Sequence, residues 1–294
     1  PVCSRCPAHR QNVVVDEERS ASAERAWRNV LAWCHEHAPV TAAALHGPVD
    51  EGSLAAAQEE MGFVWPRQLV SWLRVGDGAD RSWDAPLLPP TFIPLGVELI
   101  MNVWRMMARI TDDTRDVDEI RQLLGEPAGS RSWGFLRTWI PIADDTCGNF
   151  LFVDVRAGPR SGCVCEWEDG GYLREPLWDD LAAMLAGVDD GLRTGRLITA
   201  SEGQNDKEPL VEAGRLSWAD SSGDETIAAT GGKPAPDPQE LRDGFLLYSS
   251  AGWPDGQIAV QLGVPRSAIA DLRRRLEDEG NATQQRVHGR PLPP

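Results

Sequence analysis

The chain has 294 residues, 41% hydrophobic and 25% charged, enough for one full domain with a core plus something smaller. Its net charge of −16 argues against wrapping the whole protein around nucleic acid and suits solubility or a basic partner. No apolar run approaches the roughly 20 residues needed to span a bilayer, no signal pattern opens the chain, and six cysteines are too scattered for a secreted disulfide scaffold; a cytoplasmic protein without membrane contact is expected.

Residues 1–20 read as a flexible leader. Within it "CSRCPAH" (Cys3–His9) has metal-friendly spacing, and "CHEH" (Cys34–His37) could complete a zinc site. A single Cys-x-x-Cys without a second spaced pair is weak evidence, and Cys34 falls on an apolar face with Trp27, Val30 and Leu31. No metal or cofactor is therefore expected. The helical period of that face opens a domain over residues 21–195.

A second helix lies in "GSLAAAQEEMG" (Gly52–Gly62), with Ser53 as N-cap and Gly62 as a left-handed stop. Pro66 opens a third helix, carrying Leu69, Trp72 and Leu73, which "GDG" (Gly76–Gly78) ends. Val97, Ile100, Met101, Trp104 and Ala108 mark a fourth. The acidic run "DDTRDVDE" (Asp112–Glu119) reads as a solvated face.

From Thr138 the pattern turns to strands: Thr138–Ala143, Asn149–Val155 and Gly162–Glu168, followed by a helix over Leu177–Leu185. Helices on both sides of a strand meander describe an α+β domain. Residues 196–236, acidic and rich in Gly, Pro and Ser, read as a linker. A compact all-α unit over 237–280 and a polar tail over 281–294 complete the chain.

"WIPIADDTCGNFLFVDV" (Trp139–Val155) holds a cysteine and three aspartates, an inventory suited to a catalytic or metal site. No histidine stands near Cys147, and Asp and Asn favour turns by capping local backbone N–H groups. Two strands and a turn are the expected reading, with no catalytic residues.

In "DGQIAVQLGVPRSAIADLRRRL" (Asp255–Leu276), a small Ala259, a turn at Gly263 and apolar Ile258, Leu262, Val264, Ile269 and Leu272 resemble the helix-turn-helix unit of bacterial regulators. Leu241, Phe245 and Tyr248 would supply its supporting helix. The resemblance implies that Arg266, Ser267 and Ala270 face bases and that Arg273, Arg274 and Arg275 reach phosphates. The alternative is a helical interaction module of the same shape.

Residues from about 24 to 190 resemble the SUKH superfamily, through ordered landmarks. These are a helix with Trp27, then "LAAAQEEMGFVWPRQLVSWLRVGDG" (Leu54–Gly78), then the Trp-x-Pro-Ile, Asp, Gly, Leu-x-x-x-Asp series of Trp139–Asp154, then a glycine-led strand and a closing helix. The resemblance implies helices packed around a mixed β-sheet and function through protein binding rather than catalysis. It also implies that Glu59, Gly62, Pro66, Gly78, Trp139, Pro141, Asp144, Gly148 and Asp154 are fold determinants.

The leading expectation is an immunity-type protein that neutralises a toxin, such as a basic nuclease, by direct binding. Exposed acids and aromatics would form its contact surface: Trp83, Asp84, Asp144, Asp145, Glu166, Trp167, Glu168 and Asp169. The alternative is a transcriptional regulator, with a protein-sensing SUKH-like domain and a DNA-binding C-terminal unit.

Overall fold

The computed structural model describes residues 7–82, 84–168, 175–197, 206–220 and 237–250, together with 258, 262, 268, 269 and 272–276. The chain divides into two units, residues 1–221 and 222–294.

The first unit begins on a long helix, α1 (Pro7–His37). Ala23, Ala26, Trp27, Val30 and Cys34 form its buried stripe, at the three- and four-residue spacing of one helical face. Burial pushes the Cys34 thiol up to about 12, so it packs as an apolar group. Cys3 and Cys6 lie outside the described residues. The helix starts well before the expected boundary at residue 21. Ser20 is already buried, and Glu17 and Arg19 pair with Arg67 and Asp180. Between Asp16 and Ser20 only small Ser20 is buried, beside Glu17, Glu18 and Arg19 on the exposed side, so charge dominates the sequence signal there.

After the short α2 (Pro39–Ala43), α3 (Glu51–Met61) is capped by Asp50, whose carboxylate accepts from Ser53 N. Ser53 is thus the capped residue rather than the cap expected from the sequence. Gly62 ends α3 at φ 79°, as expected. Pro66 precedes α4 (Arg67–Leu73). Trp72 of α4 meets Trp27 of α1 edge-on at 5.3 Å, and buried Gln68 accepts from Ala182 N at the start of α7 (Leu181–Thr194). That helix lies later than the expected 177–185.

The sheet runs β1 (Ile93–Pro94), β2 (Trp139–Asp144), β3 (Phe150–Asp154) and β4 (Cys163–Trp167) in spatial order. The three main strands stand where the strand runs were expected, and the α+β class holds. Every described pairing in the sheet is antiparallel, so the mixed sheet implied by resemblance is not found. All residues of β2 and β3 are buried, because both faces are covered.

Gly78 (φ 75°) lies where an added Cβ would stand 2.2 Å from Gly96 N. Its neighbour Asp77 accepts from Val97 N, starting α5 (Val97–Thr114). The Gly-Asp-Gly segment therefore seats one helix as well as following another. A further helix, α6 (Val117–Gly125), occupies part of the run read as a solvated acidic face.

Residues 207–220, expected within the linker, form a hairpin of β5 (Lys207–Glu212) and β6 (Arg215–Asp220). Leu216 and Trp218 alternate inward into the core. Leu216 N donates to Thr41 Oγ1, and Trp218 Nε1 donates to Leu87 O. Two apolar anchors at period two outweigh the polar flanks.

The second unit contains α8 (Pro238–Ser250). Phe245, Ile258, Ile269 and Leu272 are buried together, with Leu241, Tyr248 and Leu262 packed against them. The turn that would define a helix-turn-helix lies outside the described residues.

Candidate functional site

The turn between β2 and β3 holds most of the acids expected to meet a partner. Asp144, the last residue of β2, is buried, with Oδ2 accepting from Arg81 Nε at 2.6 Å. Its Oδ1 has no hydrogen-bond partner among the described residues. Burial holds this carboxyl above its usual range, opposed by the Arg81 guanidinium. Asp145, also buried, accepts from Cys147 N, Asn149 N and Asn149 Nδ2, which fixes the turn. Gly148 completes it at φ 107°.

Asp154, at the end of β3, accepts from Gly129 N and Arg156 N. The side chains of Asp154 and Arg156 are both fully buried and paired at 2.7 Å. The Arg156 guanidinium also donates to Leu123 O and Ser130 O and lies 5.6 Å over the Trp139 ring. Asp154 is the hub that ties the sheet to the segment after α6.

The structure therefore corrects the expected contact surface. Asp144, Asp145 and Trp167 are buried, and Trp167 packs 6.1 Å from Trp139. Their residue types suggested exposure, but Asp144 and Trp167 sit on strands packed on both faces, and Asp145 turns inward to cap the β2–β3 turn. Asp84, Glu166 and Glu168 are half-buried, and Asp84 pairs with Arg215 of the hairpin. Trp83 and Asp169 lie outside the described residues. Cys147 is exposed, yet partial burial and the charge of Asp145 push its thiol up, the opposite of what a thiolate nucleophile needs. Among the described residues no three His, Cys, Asp or Glu side chains are grouped to hold a metal.

A surface that sequence reasoning missed lies on α5 and α6. The inner face of α5 is buried through Ile100, Met101, Trp104, Met107 and Thr111, while Met106 and Ile110 stand exposed. On α6 no residue is buried, although Val117, Ile120, Leu123 and Leu124 recur at helical spacing. Interleaved acids disguised that period. Trp133 is exposed nearby, and its carbonyl accepts from Arg115 just past α5.

A separate groove of about 570 Å³ runs between α1, α3 and α4. Leu54, Trp65 and Val70 give it apolar lining, and the pairs Glu17–Arg67 and Glu51–Arg74 stand at its walls.

In the second unit, Arg273 lies 5.1 Å over the Phe245 ring and is half-buried, whereas Arg274 and Arg275 are exposed. Arg266, Ser267 and Ala270 lie outside the described residues.

Among known proteins, residues 48–187 match the SMI1 / KNR4 family (SUKH-1). A Schizosaccharomyces pombe protein described as cell wall biosynthesis/cell cycle regulator smi1 is 25% identical over 179 residues, covering 54% of this chain and 34% of its own length. The chain thus spans about a third of the relative's length. No helix among the described residues is long and apolar enough to cross a membrane. Between residues 48 and 187, where the antiparallel sheet and the turn with buried Asp144 and Asp145 lie, the chain carries a domain that matches the SMI1 / KNR4 family (SUKH-1).

Proposed function

We propose that the chain is a non-catalytic, immunity-type protein that neutralises a toxin by direct binding. The observation that carries this reading is the SUKH-1 domain at residues 48–187, a protein-binding type of domain, in a chain of net charge −16. Such a field favours encounter with a basic partner, for example a nuclease that itself grips phosphate. Of the expected contact residues, Asp84, Glu166 and Glu168 retain partial exposure, and Trp83 and Asp169 stay in the proposed set as their sequence neighbours. Asp144, Asp145 and Trp167 act by holding the scaffold.

The test is growth rescue by co-expression with basic nuclease toxins, those encoded by genes adjoining this chain's own gene first. Rescue that is lost on combining Asp84→Lys, Glu166→Lys and Glu168→Lys is the expected result. Absence of rescue by the unaltered chain, despite soluble expression of both proteins, would sink the proposal.

A second reading, a regulator that contacts DNA through its C-terminal unit, is supported by the small core around Phe245 and the exposed Arg274 and Arg275. The relative's description as a regulator fits it. Residues 233–294 hold eight basic and eight acidic side chains, so any DNA contact rests on local arginines rather than a broad field. Mobility shift of the full chain at low salt is expected to disappear with Arg273→Ala, Arg274→Ala and Arg275→Ala combined. A shift unchanged by that variant, or no shift at low salt, rules this reading out.

A further inference from the structure

We infer that the exposed face built by α5, α6 and Trp133 is where a second copy of this chain docks, giving a two-fold dimer. This inference goes beyond toxin binding and stands independently of it. It rests on apolar exposure, on the marginal stability of α6, and on the local balance of charge.

Five large apolar side chains open to solvent between residues 106 and 133: Met106 (47%), Ile110 (50%), Val117 (68%), Leu124 (40%) and Trp133 (59%). Met106 and Ile110 are one turn apart on α5. The ion pair Arg115–Glu119, at 3.6 Å, ties the end of α5 to the first turn of α6. An added Cβ on Gly134 would stand 3.3 Å from Thr111 Cγ2, which sets Trp133 beside the last turns of α5. These contacts bring Ile110, Val117 and Trp133 to the C-terminal end of α5, with Met106 one turn back along α5 and Leu124 two turns further along α6. Apolar exposure on this scale, rimmed by charge, marks an interaction surface.

The helix α6 has nine residues and buries none of them fully. Isolated helices shorter than about 12–15 residues are marginal in water, so α6 depends on packing for its stability. Within its own chain that packing is one-sided: Leu123 is half-buried and its carbonyl receives Arg156, whereas Val117 and Leu124 face outward. A second surface laid over Val117 and Leu124 would complete the helix's apolar contacts.

Charge selects the occupant. The chain carries −16 overall, yet residues 105–137 contain six arginines and six acids. Several of them already pair, as Arg121 with Asp118, Arg137 with Asp112 and Arg115 with Glu119. A two-fold interface faces itself, so each sign must be able to meet its opposite on the partner. A balanced patch satisfies that condition, and it spares two acidic bodies the repulsion they would meet elsewhere. A strongly basic toxin would instead favour a surface with acidic excess. The face thus fits a second copy better than it fits the partner proposed above.

Sedimentation velocity of the full chain, from about 1 to about 100 micromolar, reads this directly, since that range brackets associations of micromolar strength. The unaltered chain is expected to move from monomer toward dimer as concentration rises. Trp133→Ser, outside any helix, and Val117→Glu, on α6, should each weaken association by at least about tenfold, the effect of losing an interface anchor. Val64→Glu, on a different exposed side chain, should leave it unchanged, and equal melting temperatures would show that each variant folds. A monomer throughout the range, or a dimer indifferent to both Trp133→Ser and Val117→Glu, overturns the inference. A monomer whose toxin binding is nevertheless lost in those two variants also overturns it and assigns the face to the toxin. Toxin rescue by a chain that remains monomeric would separate failure here from failure of the immunity reading.

Discussion

Along the β2–β3 hairpin, Asp144 and Asp145 at the turn and Asp154 at the far end of β3 lie inside the protein and serve it, holding Arg81, two turn amides and the buried Arg156. On the α5–α6 face the acids Asp112, Asp118 and Glu119 lie outside, paired with arginines around exposed apolar side chains. The first region has many hydrogen bonds and little surface; the second has surface and little burial. The difference teaches that the recognisable motif of this domain builds the scaffold, while the exposed large apolar side chains stand on helices outside that motif.

The largest expected effect is at Asp154. Asp154→Ala leaves Arg156 buried without its carboxylate, which should cost about 3–5 kcal/mol in urea unfolding. Next comes Asp145→Ala, which removes the acceptor of two turn amides and the Asn149 side chain; a loss of about 1–3 kcal/mol is expected.

Asp144→Asn should change stability at neutral pH by only about 1 kcal/mol, since the substitution loses the Arg81 pair but also relieves a buried charge. Its pH dependence carries the sign. The folded-state carboxyl lies above its ordinary 3.8, so its contribution is fully present below 3.8 and is lost as pH rises through the raised value. Unfolding curves across that window should therefore favour the Asn variant more at neutral pH than in acid. The opposite trend would mean that Arg81 outweighs burial.

Val117→Glu, on the exposed face, should move the unfolding free energy by no more than about 0.5 kcal/mol when measured on dilute monomer. The smallest effect belongs to His46, whose pKa is raised chiefly by its hydrogen bond to Asp80. That stability is present below 6.5 and lost as pH rises through the raised value. His46→Gln should flatten this step, worth at most about 0.5 kcal/mol for so exposed a pair, in thermal melts across neutral pH.

Much of the scaffold was legible because its signals are local. Short apolar runs bounded by an Asp/Gly/Asn turn marked two strands in Trp139–Val155, Gly62 marked a helix end, and Asp145 and Gly148 marked the turn. Three features were obscured by charge. The stretch of α1 around residue 20 packs through small Ser20 and Ala23 beside exposed Glu17, Glu18 and Arg19. The β5–β6 hairpin relies on Leu216 and Trp218 within an acidic stretch, and α6 hides Val117, Ile120 and Leu124 among aspartates and glutamates. Contact residues were harder still. Choosing Asp144, Asp145 and Trp167 as exposed assumed that residue type predicts exposure, whereas Asp144 and Trp167 lie on strands packed on both faces and Asp145 is drawn inward by the turn amides that it caps.

The division between scaffold and surface can be read in one experiment, hydrogen exchange of the full chain at low and at high protein concentration. Amides of Gly129, Arg156 and Asn149, held by Asp154 and Asp145, should exchange slowly and equally at both concentrations. Amides of α6 should exchange fast in dilute solution and become protected on concentration. Concentration-dependent protection at the β2–β3 turn, with α6 unaffected, would contradict that division.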